Sequence, residues 1–128
     1  MSDWELSSEL EIEYANYGEA DYVSYNKLVF KIEDGYDYKL VVKDAKSDYT
    51  PITPFRIRGW YIPDNYYAMS DINDLYIIDY NVDYIIETVN IIAIIKPKSL
   101  DFKMNEIVCD FIYGNIVYGL FKLYRKSV

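Results

Sequence analysis

The sequence predicts an all-β fold: a single-domain antiparallel sandwich or rolled sheet of about eight strands, with at most one short helix, at residues 65–74. Three observations carry this expectation. Apolar residues alternate with polar ones in segment after segment, the period of a strand covered on one face. Glycine and proline punctuate those segments at short intervals, as tight turns between strands require. The most apolar run, residues 75–95, is rich in Ile and Val, whose stiff side chains suit a pleated surface. With 128 residues the chain is one domain, 1–128. It is long enough to bury roughly two-thirds of its unfolded surface without disulfides or metal.

Taken in order, residues 6–14 alternate, with Leu6, Ser8, Leu10, Ile12 and Tyr14 on one side and Ser7, Glu9, Glu11 and Glu13 on the other. As a strand this sets three carboxylates in a row about 6.5 to 7 Å apart. Residues 14–25 read as a loop around Gly18 that re-enters a strand near Val23. A hairpin is expected next, pairing residues 26–32 with 36–42. A three-residue loop, Glu33-Asp34-Gly35, matches Ile32 to Tyr36, Phe30 to Tyr38 and Leu28 to Leu40, and places Gly35 in the left-handed region. A polar connection over 44–54 leads to a strand at 55–62, flanked by Pro54 and Pro63 and so expected to be an edge strand or a separate short one.

Residues 75–95 are expected to form the buried centre, two strands about a turn at Tyr80 and Asn81. The second, residues 88–95, is apolar on both faces, as a strand covered on both sides would be. Its eight uncharged residues fall far short of the roughly 20 that a membrane-spanning helix needs. Leu100, Phe102 and Met104 share one face while Ile107, Cys109, Phe111 and Tyr113 continue in the opposite phase, so a bulge is expected near Asn105 and Glu106. A two-residue Gly114-Asn115 turn would then pair Phe111 with Tyr118 and Cys109 with Leu120 in a closing hairpin.

Composition limits the chemistry. The chain contains no His, which removes Ser-His-Asp triads, Cys-His pairs and ordinary zinc sites. The single cysteine, Cys109, lies in a strand-like run and reads as a small buried hydrophobe. No cofactor and no metal are expected. The absence of Gln beside abundant Ile, Tyr, Glu and Lys is the bias of a protein from a hyperthermophile or its virus, with an AT-rich phage gene as the other source. The first residues carry acids where a secretory signal carries Lys or Arg, so an intracellular, cytoplasmic protein is expected.

Charge is segregated. The first 26 residues hold seven acids and no Lys or Arg, leaving 14 acids against 13 bases in the rest. Like charges in a row weaken a strand unless cations lie near. The row Glu9, Glu11, Glu13 is therefore answered either by the basic C-terminal segment, Lys122, Arg125 and Lys126, or by a basic surface on a partner protein. A second candidate patch joins Arg56, Arg58 and Trp60, alternating on one strand face, with Tyr66 and Tyr67 from the following loop. Cation and aromatic groups of this kind make binding hot spots; the bland reading is an Arg pair answering the acidic N-terminal strand, with Trp60 in the core. Tyr occurs 16 times, a residue favoured both by strands and by interfaces.

These features point first to a non-enzymatic acidic binding protein, such as an inhibitor from a virus or mobile element that blocks a basic, nucleic-acid-binding host protein. It would touch neither nucleic acid nor membrane directly. Self-assembly into a virion or other homo-oligomer, through exposed Tyr and an open edge, is the alternative. A hydrolase using paired carboxylates among Asp64, Asp71, Asp74, Asp79 and Asp83 comes third.

Overall fold

Two five-stranded antiparallel sheets use the alternation to enclose one apolar core. The computed structural model describes residues 3–13, 22–24, 27–49, 51, 53–62, 66–68, 75–97 and 103–128. Among them are strands β1 (Glu5–Glu13), β2 (Tyr22–Ser24), β3 (Lys27–Lys31), β4 (Tyr36–Ser47) and β5 (Phe55–Ile62). They continue with β6 (Tyr66–Ala68), β7 (Leu75–Asp83), β8 (Thr88–Ile95), β9 (Lys103–Phe111) and β10 (Ile116–Ser127). Sheet A has the order β1-β10-β4-β8-β7 and sheet B the order β2-β3-β9-β5-β6. The expected antiparallel sandwich is thus the architecture found, with no helix among the described residues. Eight strands have five or more residues, and two three-residue strands, β2 and β6, lie at the edges of sheet B.

Inward positions of both sheets are apolar: Leu40, Ile91, Phe121 and Leu123 from sheet A meet Leu28, Ile57, Ile107 and Phe111 from sheet B in one cluster. Phe55 stacks on Phe121 across the two sheets and meets Phe111 edge-on, with ring centroids 6.2 and 5.1 Å apart. Such aromatic pairs add about 0.5 to 1.5 kcal/mol beyond the area they bury.

Both expected hairpins are instead crossings between the sheets. β3 pairs with β2 and β9 while β4 pairs with β10 and β8, so the 33–35 loop carries the chain from sheet B to sheet A. Leu28, Phe30 and Leu40 therefore share the core cluster rather than a hydrogen-bonded ladder. The Ile32 amide donates to Asn105 of β9 at 2.9 Å. Gly35 does adopt the left-handed conformation, φ +84°. Tyr38 secures the crossing, its hydroxyl accepting from the Glu33 amide at 2.8 Å and lying 3.3 Å from the Glu33 carbonyl. The Gly114-Asn115 turn makes the same kind of crossing from β9 in sheet B to β10 in sheet A.

The bulge expected in β9 is present: Trp60 pairs with Glu106 and Tyr61 with Met104, leaving Asn105 as the extra residue. A second bulge, in β1, was not foreseen. Leu6 pairs with Tyr124 and Ser8 with Leu123, so Ser7 is extra and Leu6 is exposed, off the face it would share with Leu10 and Ile12. The strand near Val23 is β2, and residues 14–21 lie outside the described residues, as do residues 69–74 of the stretch considered for a helix; residues 66–68 of that stretch are strand. β5 matches its expected bounds but is not the edge strand that its flanking prolines suggested, because it pairs with β9 on one side and with β6, the edge, on the other.

The largest departure concerns residues 75–95. The chain does not turn at Tyr80 and Asn81; β7 runs on to Asp83 and turns over residues 84–87. Asp83 Oδ1 accepts from the amides of Ile85 and Ile86 at 2.9 and 3.2 Å, and Glu87 takes φ +56°. A carboxylate that bonds its own backbone two residues on is a turn builder, which fixes the reversal there. β7 is then an edge strand with Tyr76, Ile77, Ile78 and Tyr80 exposed. β8 buries Val89, Ile91, Ala93 and Ile95 but leaves Ile92 and Ile94 only half-covered on the outer face. Burial on both faces is found instead in sheet B: in β9, where Val108 and Asp110 on the outer side are as buried as Ile107 and Cys109 on the inner, and in β3, where Val29 on the outer side is buried beside Leu28 and Phe30.

Candidate protein-interaction site

β1 and β10 pair antiparallel, with Leu10 opposite Phe121 and Ile12 opposite Gly119 toward the core. The alternation then sends Glu9, Glu11 and Glu13 to the outer face of sheet A, exposed and in a row at the edge of the sheet. Across from them stand Lys122, Leu120 and Tyr118. The basic C-terminal strand is thus the neighbour that the sequence suggested, but two of its three cations, Arg125 and Lys126, are engaged elsewhere. Arg125 binds Glu5 at 2.9 Å and Glu33 at 3.5 Å, and stacks its guanidinium 4.4 Å over the Tyr36 ring. The hydrogen bond to Glu5 raises the pKa of Arg125. Lys126 and Lys39 both lie against the Trp4 ring, at 4.9 and 5.4 Å, and Lys39 also faces Tyr124 at 4.8 Å.

Glu9, Glu11 and Glu13 make no ion pair among the described residues. Only Lys122 stands directly across the ladder from a member of the row, Glu9. Glu11 and Glu13 also line an open groove of about 390 Å³ with Lys43, Asp44, Tyr118 and Leu120. Its floor is broken by register shifts on either side of Tyr118, where β10 crosses β4.

The second predicted patch is placed differently. Arg56, Arg58 and Trp60 do share the outer face of sheet B, in register with Asp110, Val108 and Glu106 of β9. The two guanidiniums converge on Asp110. Arg56 donates from Nε to Oδ1 at 3.0 Å and from Nη2 to Oδ2 at 2.7 Å, and Arg58 Nη2 reaches Oδ2 at 3.0 Å. Asp110 is fully buried and Arg58 nearly so. The acid that answers this Arg pair is therefore Asp110, not the acidic N-terminal strand, and Trp60 is half-exposed on the outer face rather than in the core. Tyr67 pairs with Trp60, and Tyr66 with Tyr61, along β6.

Sequence reasoning passed over Asp110, although one signal was available: a lone acid inside the apolar run Ile107–Phe111, in a chain whose only Arg residues before Arg125 alternate on a single strand. An acid in such a run needs a cation. Cys109 beside it is buried; burial pushes its thiol up, Asp110 pushes the same way and Arg58 opposes, so the sulfur is held as the unreactive thiol.

Among the carboxylates considered for hydrolysis, Asp79 and Asp83 are exposed on β7 and Asp83 is committed to its turn. Asp64, Asp71 and Asp74 lie outside the described residues. Among the described residues no group of three or more Cys, Asp or Glu side chains converges as a metal site, and no helix is long and apolar enough to cross a membrane. Comparison with protein-family models, with curated proteins and with solved structures finds no match to this chain.

Proposed function

We propose that this chain is a non-enzymatic binding protein whose β1 edge, through Glu9, Glu11 and Glu13, docks a protein partner with a basic surface of the kind that otherwise holds nucleic acid. One observation carries the reading: the three carboxylates stay exposed and make no ion pair among the described residues, with only Lys122 directly across the ladder from one of them, while Arg125 and Lys126 of the same strand are spent on Glu5, Glu33 and Trp4. A like-charged row left uncompensated costs the free protein stability, and a cationic partner would recover that cost on docking. Evenly stepped negative charge on a rigid edge resembles the repeating charge of a phosphate backbone, so a nucleic-acid-binding protein of the cytoplasm is the fitting target class. Blocking such a protein is an inhibitor's task.

The test replaces the three residues together, Glu9→Gln, Glu11→Gln and Glu13→Gln, and compares capture from a cell extract by wild-type and variant protein. The wild type is expected to retain basic proteins that elute as salt rises, because exposed charge pairs are screened. The variant is expected to release them while remaining folded. Equal capture by both proteins would count against the reading.

A further inference from the structure

Sheet A has two edges of opposite character. β1 carries the Glu row, which discourages a strand from adding to it. β7 carries neither Lys nor Pro, and it presents Tyr76, Ile77, Ile78 and Tyr80 at 44 to 64% exposure. The turn beyond it adds Tyr84, Ile85 and Ile86, with Ile85 at 94%. Apolar side chains leave β7 on both faces: Tyr76 beside Ile94 outward, Ile77 and Tyr80 beside Ala93 and Ile91 inward. A crevice of about 270 Å³ is bounded by Thr53, Pro54, Tyr80, Val82 and Tyr84. A strand apolar on both faces is the pattern of an interior strand, not of an edge.

We infer that β7 is an interior strand in the assembled protein, and that what covers it is a second copy of this chain, joined by antiparallel β7–β7 pairing about a two-fold axis. Area is the first argument. Taking about 200 Å² for a fully exposed large side chain, these seven residues present roughly 850 Å², against about 800 Å² per partner in a stable interface.

Charge is the second argument. β7 lies four strand spacings from β1, roughly 19 Å and more than twice the Debye length of about 8 Å. Copies can therefore meet at β7 with their Glu rows far apart. The third is register. An axis through Tyr80 sets Tyr80 against its own copy and Asp79 against Asn81. Passing over Ile78, the residue that β7 already bulges out of its ladder with β8, it then sets Ile77 against Val82. Inward residues meet inward ones, and no Asp faces an Asp. Closed two-fold pairing uses up both β7 edges, so the product is a dimer whose two ends are the acidic β1 edges, and growth stops there.

Light scattering after size exclusion of the full chain tests this, with loading from about 1 to 100 μM. The expected mass is twice 15.2 kDa, falling to one copy for Ile78→Lys and for Ile85→Lys, each with an unchanged far-ultraviolet dichroism spectrum. Tyr80→Cys should cross-link in air to a disulfide dimer, since Cys109 is buried and does not compete. The Glu9→Gln, Glu11→Gln, Glu13→Gln variant should remain dimeric, which separates this inference from the partner-docking reading. A wild-type monomer at 100 μM overturns the inference and leaves β7 open to a different chain. So does a dimer that survives both Lys variants without cross-linking at position 80, or a ladder of higher oligomers.

Discussion

Asp110 is held on both carboxylate oxygens. It is fully buried between two guanidiniums on the outer face of sheet B, and three hydrogen bonds satisfy its oxygens. Replacing a buried ion pair with well-packed apolar residues is often neutral, whereas removing one partner strands the other's charge, at about 3 to 5 kcal/mol. Asp110→Asn keeps the shape and removes the charge, so it should lower the urea unfolding free energy by an amount in that range. Arg56→Met, which removes a side chain with one quarter of its surface still in water, should cost less. At this scale the sequence was legible wherever burial followed from pattern, as at Cys109 or Leu40. It was illegible at Asp110, because a charged residue is legible as buried only once the cations that cross from β5 are in place.

At the scale of elements, hairpin and crossing share one sequence signature: two alternating segments joined by a short Gly-containing turn. They differ in whether the next strand turns within its sheet or rolls over into the other one, and that is decided by partners distant in sequence, such as β9 for β3 and β8 for β4. The bounds of β5 and β8, the Asn105 bulge and the conformation of Gly35 were therefore readable, while strand pairing and the end of β7 were not. The edge position of β7 was hidden for the same reason, since its composition matches that of an interior strand. The two crossing turns give a paired prediction. Gly35→Ala meets nothing within 4 Å and bears only its φ of +84°, so it should cost about 1 to 2 kcal/mol. At Gly114, φ is +87° and a Cβ would lie 2.3 Å from Ser47 Oγ and 2.7 Å from Tyr49 Cβ. Gly114→Ala should therefore lower the unfolding midpoint clearly further, both being read in the same denaturant titration.

For the whole molecule, the legible property was charge distribution, because electrostatic asymmetry along the sequence survived folding as asymmetry between the two edges of sheet A. The row on β1 has a measurable signature even without a partner. Two unit charges about 7 Å apart in water repel by roughly 0.6 kcal/mol. Glu9→Gln, Glu11→Gln, Glu13→Gln should therefore raise the melting temperature at low ionic strength by a few degrees, and the difference should vanish near 1 M salt, where the screening length is about 3 Å. A difference that persists at high salt would mean that the carboxylates act by something other than mutual repulsion.

The seating of β10 between β1 and β4 has a kinetic consequence. Sheet A has one ladder between sequence neighbours, β7 with β8, but it cannot be completed from such neighbours, because the ladder of its interior joins Tyr36–Ser47 to Ile116–Ser127 and most ladders in both sheets join segments dozens of residues apart. Loop closure must precede reward, which places such chains in the millisecond-to-second range of folding times. Until β10 docks, the apolar faces of β1 and β4 have no neighbour between them, so the half-assembled chain is the state most exposed to aggregation.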